Sequence, residues 1–357
     1  MFFESTPLIG RFLRIGFFAG LFCASITASL WNGRAAEAGS ETKTSAGGSI
    51  EAWLNVPFAT MGGEELFLNL YRPAETTGTL PLIVHVHGGG WKGENTAEQL
   101  LEMQTTETLH MQLDLHPSGW NAGPNKGIWP VLPFWLVNRG YAMASIAYRS
   151  SDKALFPAQI EDCKAAIRWL RANAKVFGFD PDRIGICGGS AGGHLVSLLG
   201  TIGDASPLNA HEPAPKESCK VRAVCSIAGP SDFLDLIRRH PGETYAFALK
   251  LMAELIGGDL QANAEKVRMA NPIQYISSDD PPFLLIHGDQ DKLVPLSQSE
   301  IFHQALQKAG VESTLHVVKG ADHIFVSPDA DKAMAEFFDE HLKRGSCPSE
   351  SLPESPR

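Results

Sequence analysis

The sequence predicts an α/β fold in which a mostly parallel sheet is covered by helices on both faces. Three observations carry this. Strand-like and helix-like segments alternate over most of the 357 residues. Several of the strand-like runs are short, apolar and β-branched and close on glycine, as buried parallel strands do. Between Pro157 and Phe177, finally, Ile160, Cys163, Ile167, Leu170 and Ala174 recur at helical spacing, giving one apolar stripe.

In chain order, Glu65 to Tyr71 alternates apolar and polar positions like a half-buried strand. Leu82 to Val86 and Ala142 to Ala147 are buried strands, and the striped helix follows. Arg183 to Cys187 is a strand that leads into a helix from Ala191, and Val221 to Ile227 is another strand. Helical segments run from about Asp232 to Ile256. Phe283 to His287 is a strand followed by a helix near Pro295 to Ala309, then Thr314 to Val318 and a last helix from Asp329 to Lys343. Ligand sites in such sheets lie at the carboxyl ends of the strands.

The ends read differently. Arg11 and Arg14 precede an apolar run from Ile15 to Trp31, with small residues at Ala36-Glu37-Ala38. Residues 1–38 therefore form a signal peptide, with an uncleaved anchor as the alternative. Residues 39–49, rich in Ser, Thr, Gly and Ala, are expected as a flexible linker, 50–344 as one α/β domain, and 345–357 as a disordered tail. The protein is expected to be secreted or periplasmic, and to meet a membrane only if the first segment is retained.

At 44% hydrophobic and 20% charged, the composition is that of an ordinary globular protein. The net charge of -10 and the lack of a basic stripe argue against a nucleic-acid partner. Removal of the leader leaves Cys163, Cys187, Cys219, Cys225 and Cys347, an odd number whose spacings fit no zinc pattern. His85 and His87 form an H-x-H pair without an evident third ligand, so no metal and no cofactor are expected.

Gly188-Gly189-Ser190-Ala191-Gly192 lies between a strand and a helix, the context that gives G-x-S-x-G its meaning. Ser190 is the candidate nucleophile; a glycine-rich turn with a bystander serine is the plainer alternative. His87-Gly88-Gly89-Gly90-Trp91 follows an earlier strand, and glycines there let backbone N–H groups approach a developing oxyanion. Gly88, Gly89 and Ala191 are the candidate donors, with His87 bracing the loop. No lysine follows at P-loop spacing.

A serine hydroxyl needs an imidazole to take its proton, and the imidazole needs an acid to orient it. His323, in the loop after the last strand, is the candidate base. Asp291, after the preceding strand, is the candidate acid, with Asp289 as its nearest competitor. The other histidines, His194, His287 and His316 among them, read as structural or exposed.

With these residues in place, the chain resembles the bacterial α/β-hydrolase esterases, in the BD-FAE-like branch around acetyl-xylan and feruloyl esterases. The shared stretches are His87 to Trp91, Phe156 to Asp162, Gly188 to Gly193, Ala270 to Pro272, His287 to Pro295 and Gly320 to Phe325. The resemblance implies a single α/β-hydrolase domain and serine ester hydrolysis on a small-molecule or polysaccharide ester. A prolyl-peptidase-like exopeptidase and a non-catalytic binding protein on the same fold are the alternatives. Lys92 to Pro130 departs from the pattern as an insertion near the active site, with a helix expected from Thr96 to Leu113. Trp91, Trp120 and Trp129 are candidate aromatic contacts for substrate, although Trp120 and Trp129 equally suit packing of the insertion onto the body.

Overall fold

The computed structural model describes residues 41–45, 48–92, 133–204, 208, 216–239 and 245–343. The expected signal segment, the tail, Trp120 and Trp129, and the insertion beyond Lys92 lie outside the described residues.

Among the described residues, nine strands form one sheet: β1 (Glu41–Ser45), β2 (Gly48–Met61), β3 (Glu64–Pro73), β4 (Leu80–Val86), β5 (Ala142–Ile146), β6 (Phe179–Gly189), β7 (Ala223–Ile227), β8 (Phe283–Gly288) and β9 (Ser313–Val318). Their spatial order is β1-β2-β3-β5-β4-β6-β7-β8-β9. From β5 onward neighbours run parallel, whereas β1, β2 and β3 pair antiparallel at one end. The linker expected over 39–49 is corrected here. Residues 41–45 pair with 48–52 in antiparallel register. The Ser, Thr and Gly content that suggests a linker is compatible with a peripheral hairpin, in which pairing depends on backbone groups.

Both faces of the sheet are covered, as the alternation requires. On one face, Leu82, Val84 and Val86 of β4 pack with residues of α1 (Ala158–Phe177) and α2 (Ala191–Ile202), among them Ile160, Ile167, Leu195 and Leu199. On the other face Ile83 and Met143 meet Phe134 and Val137 of a 3-10 helix, and Met334 and Phe338 belong to the same cluster. Met334 and Phe338 come from α7 (Pro328–Phe338). The remaining helices are α3 (Phe233–Arg239), α4 (Ala246–Ile256), α5 (Ala264–Met269) and α6 (Ser297–Lys308).

Helix boundaries have local causes. The stripe in α1 ends where Gly178 takes a left-handed φ of 73° and donates its N–H to Ala174 O. Ser327 caps α7 by accepting the Ala330 N–H, with Pro328 in the first turn. Every residue of β4 is buried, consistent with its uninterrupted apolar run, while β9 at the end of the sheet is largely half-exposed. Among the described residues, Cys163, Cys187, Cys219 and Cys225 are buried and free, and no helix is long and apolar enough to cross a membrane.

Candidate active site

Ser190 sits at the carboxyl end of β6 with φ 55° and ψ −121°, a left-handed conformation that is costly for a residue with a side chain. The surrounding backbone over-determines it. Ser190 N–H donates to Ile227 O at 2.8 Å, and Ser190 O accepts from His194 N–H at 2.9 Å. The flanking glycines permit contacts that a side chain forbids: a Cβ on Gly192 would stand 2.1 Å from Val86 O, and one on Gly188 would stand 2.7 Å from it. The serine is half-buried at the start of α2, where the helix N-terminus presents its free N–H groups.

The glycine loop after β4 is braced from three sides. His87 donates Nδ1–H to Gly88 O at 2.8 Å and stacks on Tyr148, with ring centroids 4.2 Å apart and planes 8° from parallel. Tyr148 donates its hydroxyl to His87 O at 3.1 Å. Beside it, Arg149 is gripped by the buried Asp162, which accepts from the backbone N–H at 2.8 Å and from the guanidinium at 2.7 Å. Ser151 N–H donates to Trp91 O at 2.7 Å. Gly89 and Gly90 take φ of 98° and 64°, so the chain turns back over the sheet here. His87 thus has the bracing role expected of it.

Trp91 requires a correction. Its side chain is 3% exposed and packs edge-on to His194 and Phe233, and its indole N–H donates to His194 Nδ1 at 3.2 Å. It fastens the loop to α2 and presents no face to a substrate. An aromatic residue next to a glycine loop reads equally as a platform or an anchor, and burial decides for the anchor. His194 completes the tie by donating Nε2–H to Ala270 O at 2.6 Å. Burial lowers the His194 pKa to about 4, against the opposing effect of the Ala270 carbonyl, so the ring is neutral.

At the ends of β8 and β9 the two loops are laced together. His323 donates Nδ1–H to Asp291 Oδ2 at 2.7 Å. Asp291 Oδ1 accepts the N–H groups of Leu293 and Val294, each at 2.8 Å. Burial alone raises a carboxyl pKa, but hydrogen bonds from His287 and His323, the charge of His323 and the Val294 N–H hold Asp291 well below the usual carboxylate range. Asp289, the competing acid, accepts instead from Gly320 N–H at 2.7 Å and holds the imidazole's loop from outside. A Cβ on Gly288 would stand 2.4 Å from Ala321 O, so the loops touch through backbone.

Ser190, Asp291 and His323 thus lie just beyond the carboxyl ends of the parallel strands β6, β8 and β9, with the His87–Trp91 loop beside the serine turn. A half-buried hydroxyl on a helix N-terminus, an oriented imidazole and a glycine loop together suit nucleophilic attack on an acyl carbon. Sequence reasoning did not single out Tyr148, Asn271 or Gln298. Asn271 accepts the Phe233 N–H at 3.0 Å and donates to Asp232 at 2.9 Å; Gln298 accepts from Ser231 and Asp232 N–H. Of the three, only Asn271 had a signal, the shared Ala270-Asn271-Pro272 stretch.

Comparison with known proteins agrees with this architecture. Residues 101–306 match the BD-FAE family and 261–353 the family described as TAP-like protein. The chain is 28% identical to the esterase LipQ of Mycobacterium tuberculosis over 280 residues, covering 76% of this chain and 56% of LipQ. It spans about half the length of the curated relatives it matches. Among solved structures, a truncated carbohydrate esterase from gut microbiota superposes with a TM-score of 0.65 at 28% identity, covering 82% of this chain and 96% of that one. A bifunctional GH43-CE protein of Bacteroides eggerthii gives 0.65 at 31% identity, over 81% of this chain and 38% of that protein. The fold is that of the α/β hydrolases, and the chain belongs to the BD-FAE family.

Proposed function

We propose that this protein is an exported serine carboxylic ester hydrolase acting on acetyl or feruloyl esters of carbohydrates or on other small acyl esters. The observation that carries the reading is the 2.7 Å Asp291–His323 bond at the same sheet edge as the strained Ser190 turn. The names of the relatives, esterases in the curated comparison and carbohydrate esterases among the structures, support the reaction class. Export rests on the basic and apolar pattern of residues 1–38.

In this reading Ser190 Oγ attacks the ester carbonyl while His323 takes its proton, and Asp291 holds the imidazole in the productive tautomer. The N–H groups of Ala191, Gly88 and Gly89 receive the oxyanion, each donor being worth about 10²- to 10³-fold in rate. His323 then protonates the leaving alcohol. Water, activated by the same imidazole, releases the acid.

The test is hydrolysis of aryl acetate, butyrate and ferulate esters and of acetylated xylan by the purified chain, with Ser190→Ala alongside. Wild-type turnover that disappears in Ser190→Ala supports the reading, and the acyl preference selects the substrate. Undiminished turnover in Ser190→Ala sinks it.

A further inference from the structure

His287 is the penultimate residue of β8, and its side chain is fully buried. Its Nε2 stands 3.2 Å from Asp291 Oδ2, the same oxygen that receives the Nδ1–H of His323. The same nitrogen lies 2.9 Å from Val294 O, and on the other side of the ring Nδ1 lies 2.7 Å from Ser299 Oγ. A carboxylate and a carbonyl only accept, so Nε2 carries the proton and Nδ1 receives the Ser299 hydroxyl. One neutral tautomer satisfies all three contacts.

We propose that His287 is a positioning residue for the triad, its Nε2–H fixing Asp291 Oδ2 at the point where that oxygen orients His323. The inference rests on the catalytic reading given above. Asp291 is gripped from two directions: the backbone of its own loop holds Oδ1, and two imidazoles share Oδ2. An acceptor shared by two donors is a weaker partner for each. Without His287, Oδ2 has His323 as its one imidazole donor and turns its undivided charge toward that ring.

The other polar and charged groups that face the pair are Tyr245, Asp322 and Lys292. Tyr245 donates its hydroxyl to Asp291 O at 3.4 Å, and Asp322 lies beside His323 with Lys292 at 3.6 Å. Ser299, from α6, and Val294 complete the surroundings of the ring.

The test is kcat and KM for an aryl acetate across pH 4.5 to 9, using the full chain as wild type, His287→Leu, His287→Gln and Ser299→Ala. In His287→Leu the acidic limb of kcat/KM moves up by about half a pH unit or more, and kcat falls about ten-fold with little change in KM. His287→Gln, whose amide N–H can stand where Nε2 stood, brings the midpoint back toward wild type. Ser299→Ala, which frees only Nδ1, moves the limb the same way by less, and carries the test if the leucine variant does not fold. Folded His287→Leu and Ser299→Ala enzymes with the wild-type limb and kcat overturn the proposal. So does a kcat loss that glutamine leaves unrepaired at an unmoved midpoint. Ser190→Ala separates the two claims: if it is inactive while the His287 variants behave as wild type, only this inference fails, and if it is active, the catalytic reading fails.

Discussion

Trp91 and His194 are joined by one hydrogen bond, 3.2 Å from indole N–H to imidazole Nδ1, and through it the glycine loop after β4 is tied to the helix that follows Ser190. Both partners are buried, and the second nitrogen of His194 is already committed to Ala270 O. Replacing Trp91 by Phe keeps an aromatic ring but leaves Nδ1 without its donor. A buried acceptor stranded in this way costs about 1–3 kcal/mol. Urea unfolding of Trp91→Phe should show that loss, with kcat for a short aryl ester reduced and KM little changed. A variant of wild-type stability and kcat would show that the bond holds nothing.

His194 also sets a pH dependence of stability. Its folded pKa is about 4, against about 6.5 in the unfolded chain. Between those values the unfolded state binds a proton that the folded state does not, so stability falls as pH is lowered from about 6.5 to 4. One proton corresponds to about 1.4 kcal/mol per pH unit. His194→Gln removes the titration, so the wild-type unfolding free energy should drop relative to that variant across this window and run parallel to it above pH 7. Denaturant curves at four or five pH values measure the difference directly.

Asp291→Asn keeps the shape of the acid but lets the amide present a donor to His323 Nδ1. The imidazole then takes the wrong tautomer, a change worth about 10⁴-fold in kcat in a triad. Because the folded Asp291 pKa lies below the usual carboxylate range, its ionic contribution to stability is full above about pH 4 and is lost as pH falls toward the folded value. Asp291→Asn should therefore lose less stability than wild type on acidification below pH 4. Asp289→Asn, whose carboxylate accepts from Gly320 N–H and the Gln290 amide and not from His323, should keep far more activity than Asp291→Asn.

Gly192→Ala tests the serine turn. The added methyl would meet Val86 O at 2.1 Å, a backbone atom of a buried central strand that cannot rotate away. Overpacking of this kind costs about 1–3 kcal/mol or more and shifts the turn. Loss of activity and a lower melting temperature are expected. Gly310→Ala, at φ 82° with nothing within 4 Å of the new atom, carries only the left-handed backbone penalty and should stay active.

The parallel sheet, the element order and the Asp291–His323 pair were legible because each rests on short-range pattern: apolar runs ending in glycine, and chemistry-bearing residues just past strand ends. What was not legible depends on contacts between distant segments. His287 is separated from Asp291 by only four positions, yet its link to that carboxylate appears only once the loop folds back to bring Val294 and Ser299 to the same ring. Trp91 was misjudged because its sequence neighbourhood does not reveal that His194 and Phe233 enclose it. The 41–45 strand was missed because a polar edge carries no apolar alternation.

The place of β9 at the end of the sheet has a consequence for how the molecule ages on heating. Among the described residues it has a strand neighbour on one side only; it is largely half-exposed, and the loop that carries His323 hangs directly from it. Ser190, by contrast, directly follows β6, a central strand with neighbours on both sides. Marginal strands fray at lower free energies than the core opens. On the catalytic reading proposed above, warming is therefore expected to part His323 from Ser190 while the buried tryptophans still fluoresce as native, so that turnover fades before melting and returns on cooling from that interval.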